Sequence, residues 1–370
     1  MKRLIFFTIL GLLISCKGNR EFPSISKGND YTEYASGFTV EEKDGYKIVS
    51  ILTSEKKEVI QTLALVHRQA ELLPDKLPEG AVVIRTPLDR VVSFSSVTCG
   101  MIHELGKSET IVGLTEPDYI SIPQIKDAVE GGKIVNLGMA NNPNIEEIML
   151  LEPEAIFINP YSEIENILQK VNFPVIQCLD FQETLPLGQT EWIRFMGLLF
   201  EEEELADSLF NETCKRYNYL KELTVEAKNP PCVFTEKRYE GVWYMPGGQS
   251  YLANLFKDAG VQYLWKEDTN TGSVSFTFET VLNEAENCDY WLLKYYSPND
   301  LSYSQLEAEY PNYALFSAFK NKKVFGCNTS KCSYYEELPL HPDWLLEDMI
   351  GIFYPELLPE YNPRYYFPLQ

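Results

Sequence analysis

The sequence predicts an α/β fold of two lobes separated by a helical connector and preceded by an antiparallel β extension, and three observations carry that reading. Short apolar runs alternate with helical stretches on both sides of the middle of the chain, the grammar of βα units around a parallel sheet. From about Trp192 to Ala227 the pattern is helical throughout and stops at Asn229-Pro230-Pro231, where proline removes the backbone donors a helix needs. Before Pro87 the period is two, around an Asp44-Gly45 turn signal.

The elements follow in order. Lys2 and Arg3 precede the apolar run Leu4 to Ile14 and the small residues before Cys16, which predicts a signal peptide over 1–15. That run is shorter than the roughly 20 apolar residues of a spanning helix. Leu13-Ile14-Ser15-Cys16 resembles a bacterial lipobox, so Cys16 is expected to carry the lipid, followed by a polar tether over 16–30. The β-rich extension covers 31–87. The first lobe, 88–185, contains "RVVSF", "TIVGL", "EAIFI" and "PVIQCL" as strands, with helical stretches between them, including Ile145 to Leu151 and Glu163 to Val171. The connector, 186–228, ends in "EEEELADSLFNETCKRYNYLKEL", acidic at its start and basic later, which suits the helix dipole. The second lobe, 229–370, runs through "CVFTEK", "SYLANLFKDAG", "KKVFGC" and a closing helix from Pro342 to Phe353.

Composition narrows the function. Removing Lys2 and Arg3 from the 32 basic residues leaves 30 against 54 acidic ones, and such a surface repels phosphate backbones, so nucleic acid is not an expected partner. Three histidines, His67, His103 and His341, stand at no helical ligand spacing, so no metal site is predicted. Among the cysteines beyond Cys16, Cys327 and Cys332 could bridge in an oxidising compartment, which the sequence leaves open; the others read mostly as small buried hydrophobes. No nucleophile-elbow, HExxH or phosphate-loop motif is present, no cofactor is called for, and a non-enzymatic role is expected.

"RVVSFSSVTCGMIHELGKSETIVGLTE", "NPNIEEIMLLEPEAIF", "YPNYALFSAFKNKKVFGC" and "HPDWLLEDMIGIFYPEL" occur in that order, and together they resemble the substrate-binding lipoproteins of ABC transporters for iron chelates and cobalamin. The resemblance covers roughly residues 88 to 358. It implies two Rossmann-like lobes joined by one long α-helix, with an antiparallel β extension outside the common core. It also implies a lipid-anchored protein of the cell envelope, on the periplasmic face or the outer face of the cytoplasmic membrane, that delivers its cargo to a permease dimer and its ATPase. Ser96 and Cys99 depart from the family's first-loop pattern.

Family members dock through one acidic residue on each lobe, and the matching positions are Glu146 and Glu279. The ligand in such an architecture sits where strand ends converge between the lobes. That points to Ser96, Thr98, Met139, Asn141 and Tyr161 on the first lobe, and to Arg238, Trp243, Tyr295, Lys331 and Tyr334 on the second. Flat aromatic faces suit a macrocycle or catechol, and Arg and Lys would meet an anionic chelate. The expected ligand is an iron(III) chelate, siderophore or haem-like. The alternatives are cobalamin or another corrinoid, and, outside transport, a secreted lipoprotein enzyme or a surface interaction protein. Met139 and Ser273 stand where the cobalamin branch has tryptophans.

Overall fold

The computed structural model describes residues 31–53, 57–71, 73, 76–160, 168, 173–227 and 229–370. The predicted leader, the tether with Cys16, the helical stretch from Glu163 and the ligand candidate Tyr161 lie outside the described residues.

Alternation along the extension builds a four-stranded sheet in the order β1 (Phe38–Lys43), β2 (Tyr46–Leu52), β3 (Val59–His67), β4 (Val82–Thr86). Gly45 takes φ +82° in the turn that pairs Lys43 with Tyr46, a conformation that favours glycine. The sheet is mixed rather than purely antiparallel: β4 lies parallel to β3, Leu63 opposite Val82 through His67 opposite Thr86. The connection, residues 68–81, is long enough to return to the start of β3 before β4 begins. Arg68, at the end of β3, holds that return by bonding Asp89, the Pro87 carbonyl and Glu154.

The first lobe is a five-stranded sheet, β11-β10-β5-β6-β7, whose neighbours all run parallel. Its strands are β5 (Val91–Ser93), β6 (Ile111–Leu114), β7 (Val135–Asn136), β10 (Ala155–Ile158) and β11 (Val175–Gln177). Burial on both faces explains why "AIFI" has no polar alternation. A two-residue hairpin, β8 (Gly138–Met139) with β9 (Asn142–Pro143), projects beside it.

The predicted connector is three helices, Pro186–Thr190, Trp192–Phe200 and Glu203–Leu223, of which only the last, at 21 residues, is long. Trp192–Phe200 and Glu203–Leu223 pack so closely that a Cβ on Gly197 would fall 2.7 Å from the Ala206 Cβ. The long helix also meets the closing helix Pro342–Phe353, with Arg216 reaching Asp343 and Glu347.

The second lobe repeats the design in the order β15-β12-β17-β18-β19. The central strands β12 (Cys232–Thr235), β17 (Tyr290–Tyr295) and β18 (Val324–Asn328) are parallel, β15 (Gln262–Tyr263) extends one edge, and β19 (Tyr366–Pro368) closes the other antiparallel. A three-stranded flap, β13 (Arg238–Tyr239), β14 (Val242–Pro246) and β16 (Ser273–Phe276), sits outside it.

Two cysteines read as plain hydrophobes are bonded, Cys232 to Cys288. The pairing follows from strand order: β12 and β17 are neighbours with Val233 opposite Tyr290, which brings the residues just before them together. Cys327 and Cys332 are free thiols with sulfurs 3.8 Å apart.

Candidate functional site

The strand ends of both lobes open onto a cavity of about 800 Å³. Residues 181–184, just after β11, form one side. The second lobe supplies Glu236 after β12, Lys294 on β17, and Tyr334, Tyr335 and Leu338 beyond β18. Ser250 to Leu252 at a helix start and Thr271 to Ser273 of the flap add to this side. Thr53 and Glu58 of the extension line it as well.

Lys294 is the one cation among the described lining residues. It forms an ion pair with Glu236, and its ammonium lies 5.8 Å from the Tyr334 ring centre. Burial alone would lower its pKa, but the Glu236 carboxylate and the neighbouring Tyr334 outweigh that and raise it. Lys294 is therefore charged and already neutralised. Glu236 holds φ +63°, in the left-handed region, at a cost of about 1 kcal/mol for a side chain with a Cβ. It is kept there by its amide on the Leu292 carbonyl, by the Trp291 indole on its own carbonyl at 2.6 Å, and by Lys294.

Tyr334 packs edge-on against Tyr335 and Tyr365, and burial pushes its hydroxyl pKa up. Tyr335 and Phe181 each expose about half their surface, 56% and 51%, so the cavity presents aromatic faces to a ligand. The lobes are tied beside it. The Glu336 carboxylate accepts from the Ser121 amide at 2.8 Å, and the Asn254 side chain donates to the Thr184 carbonyl at 3.1 Å.

Asp180 sits immediately behind the 181–184 wall, buried, with burial raising its pKa to about 6 against a hydrogen bond from Gln189. The folded carboxyl holds its proton more tightly than the unfolded one, so the group costs stability as pH rises from about 4 to about 6, and the cost is complete above that. Asp180→Asn should therefore gain about 2 kcal/mol over the parent between pH 4 and pH 7 in urea unfolding. Parallel pH profiles for the two chains would remove this assignment.

Of the ten residues the sequence nominates for the ligand, Tyr334 lines this cavity but is itself buried, and its neighbour Tyr335 and Ser273 of the flap line it as well. Trp243 is fully buried, its indole donating to the Thr235 carbonyl, and it packs tilted or edge-on among Phe234, Trp291 and Phe316 as core; in this structure it offers no surface to a ligand. Thr98 is also buried. Ser96 opens the helix Ser96–Glu104, and Met139 and Asn141 stand exposed on the β8–β9 hairpin, away from the lining. The Arg238 guanidinium covers the Tyr310 ring at 4.1 Å, Lys331 pairs with Asp300 at 2.9 Å, and the Tyr295 hydroxyl accepts from the Leu301 amide. Lys294, Glu236, Phe181, Thr53 and Glu58 were not nominated. A lysine closing the otherwise buried strand "YWLLKY" was the available signal for Lys294.

Glu146 and Glu279 are exposed in the first turns of the helices Ile145–Leu151 and Phe278–Ala285, one on each lobe. Asn144 and Thr277 cap those helices, accepting from the Glu147 and Thr280 amides, so neither glutamate is consumed by capping. Among the described residues no group of three His, Cys, Asp or Glu side chains could hold a metal, and no helix is long and apolar enough to cross a membrane.

Residues 91–330 match the model of a family described as periplasmic binding protein. An uncharacterized lipoprotein of Methanocaldococcus jannaschii is 27% identical over 296 residues, 76% of this chain and 69% of that protein. A periplasmic heme binding protein from Pseudomonas aeruginosa superposes with a TM-score of 0.60 at 15% identity, over 76% of this chain and 98% of its own. A possible iron-binding, periplasmic solute-binding protein from Staphylococcus epidermidis gives a TM-score of 0.58 at 16% identity, over 73% of this chain and all of its own. Two parallel-sheet lobes, a helical link, a cavity at their strand ends and a match over most of the chain agree, and the chain belongs to the periplasmic binding protein family, the solute-binding components of ABC transporters.

Proposed function

We propose that the chain captures an iron(III) chelate, siderophore or haem-like, in this cavity and delivers it to an ABC permease dimer with its ATPase. The observation that carries the reading is the cavity itself: about 800 Å³, within the size range of small-ligand sites, with Tyr335 and Phe181 offering flat faces and a neutralised Lys294–Glu236 pair at its side. The heme binding of the Pseudomonas neighbour and the possible iron binding of the Staphylococcus one support the ligand class. Cys16 is the proposed lipid anchor, and Glu146 with Glu279 the proposed contacts to the permease.

Absorbance and intrinsic-fluorescence titrations with a ferric trihydroxamate, haem and cobalamin test this. We expect saturable binding of a ferric compound, weakened at least tenfold by Tyr335→Ala, with the melting temperature monitored in parallel. Saturation by cobalamin alone would transfer the chain to the corrinoid reading, and binding of none would retire both.

A further inference from the structure

The extension lies outside the segment 91–330 that matches the family, yet two of its residues, Thr53 and Glu58, stand in the wall of the cavity. Their placement is fixed from several directions. The Thr53 amide donates to the Glu58 carbonyl at 3.0 Å and the Thr53 hydroxyl accepts from the Glu58 amide, which holds the two residues together. Leu52 donates to the Gly37 carbonyl, and the amides of Ser36 and Gly37 both donate to Glu183, itself a wall residue. Farther along β3, the Gln61 side chain spans the free edge of β11, donating to the Val175 carbonyl and accepting from the Gln177 amide.

The described lining residues carry three carboxylates, Glu58, Glu183 and Glu236, against one ammonium. Glu183 is consumed by two backbone amides, the Ser36 hydroxyl and the Trp192 indole. Glu236 is consumed by Lys294. Glu58 is exposed, and its carboxylate has no hydrogen-bond or ion-pair partner among the described residues. The cationic side chains that sequence reasoning assigned to an anionic chelate, Arg238 and Lys331, do not line the cavity.

We infer that the β extension is a third wall of the ligand cleft and that Glu58 makes the cleft select ligands bearing a positive charge, so that within the proposed class it takes a cationic ferric chelate in preference to a neutral or anionic one. An anionic ligand meets no unneutralised cation among the described lining residues and is repelled by Glu58. A ligand ammonium or amidinium meets a carboxylate that needs no other partner displaced. The chain's overall charge of −22 adds long-range attraction of the same sign.

The ligand class rests on the proposed function, so the test uses two matched pairs. Ferrioxamine B, a ferric trihydroxamate with a free ammonium, is compared with its N-acetylated form, which differs by the loss of that charge. Metal-free tetrakis(N-methylpyridyl)porphyrin is compared with the tetrasulfonated phenyl analogue, the same ring with opposite charge. The full chain should bind ferrioxamine B about tenfold more tightly than the acetylated form at low salt. Glu58→Gln should reduce that ratio below about twofold at an unchanged melting temperature. A tenfold ratio that survives Glu58→Gln, or equal binding of the two chelates by the parent, overturns the inference. If neither chelate binds, the iron reading fails and the porphyrins decide the wall: a cationic preference lost in Glu58→Gln sustains it. No preference, or no porphyrin binding, overturns it.

Discussion

Glu146→Lys with Glu279→Lys should reduce uptake by more than tenfold in vesicles reconstituted with the permease and ATPase, while the affinity for ligand changes by less than twofold. Both carboxylates are exposed on helix first turns of different lobes, and neither lines the cavity, so under the proposed docking role the reversal touches docking and spares capture. Rim charges act mainly on register and on the association rate, so each single reversal should fall between the parent and the double variant, and raising the salt concentration should lower the parent's rate toward theirs. Glu130→Lys, an exposed acid at the end of another helix, is the control for net charge. Full uptake by the double variant would mean that the permease reads some other surface.

Glu191→Ala should destabilise the chain by about 3–5 kcal/mol, the range for breaking a buried, hydrogen-bonded ion pair from one side. The Glu191 side chain is fully buried. It accepts from the amides of Glu33, Tyr34 and Ala35 at 2.7–3.1 Å and pairs with Arg194 at 2.8 Å. Removing it strands three amides at the start of the extension and leaves Arg194, which also covers the Phe210 ring, with the more exposed Glu33 and Asp207. Urea unfolding followed by circular dichroism measures the loss. A cost below about 1 kcal/mol would show that the extension is held elsewhere.

The lobes and the link between them were legible because burial writes itself into the order of residues: "AIFI" and "VFGC" need two covered faces, and Asn229-Pro230-Pro231 ends any helix. The direction of β4 was not legible, since the connection over residues 68–81 is long enough for either a parallel or an antiparallel return. Trp243 shows the limit within one element. "VWYMP" places two aromatics side by side, and only the pairing of Trp243 with Phe276 across the flap decides that Trp243 and Met245 face inward while Tyr244 faces out. Lys294 escaped notice for a related reason: its role depends on Glu236, 58 positions earlier, arriving beside it at the end of a neighbouring strand. Tyr334 and Tyr335 lie just beyond a strand end, where topology alone indicates a cleft.

Phe38, from the first strand of the extension, lies edge-on to Trp192 and tilted on Phe195, with centroids 5.2 and 5.7 Å apart, and all three rings are buried. That seam makes the leading sheet and the body behind it a single melting unit. A shortened gene product starting at Leu88 would not be a smaller receptor: it would surface two aromatic rings and a bare sheet edge, and it would clump before it could be assayed.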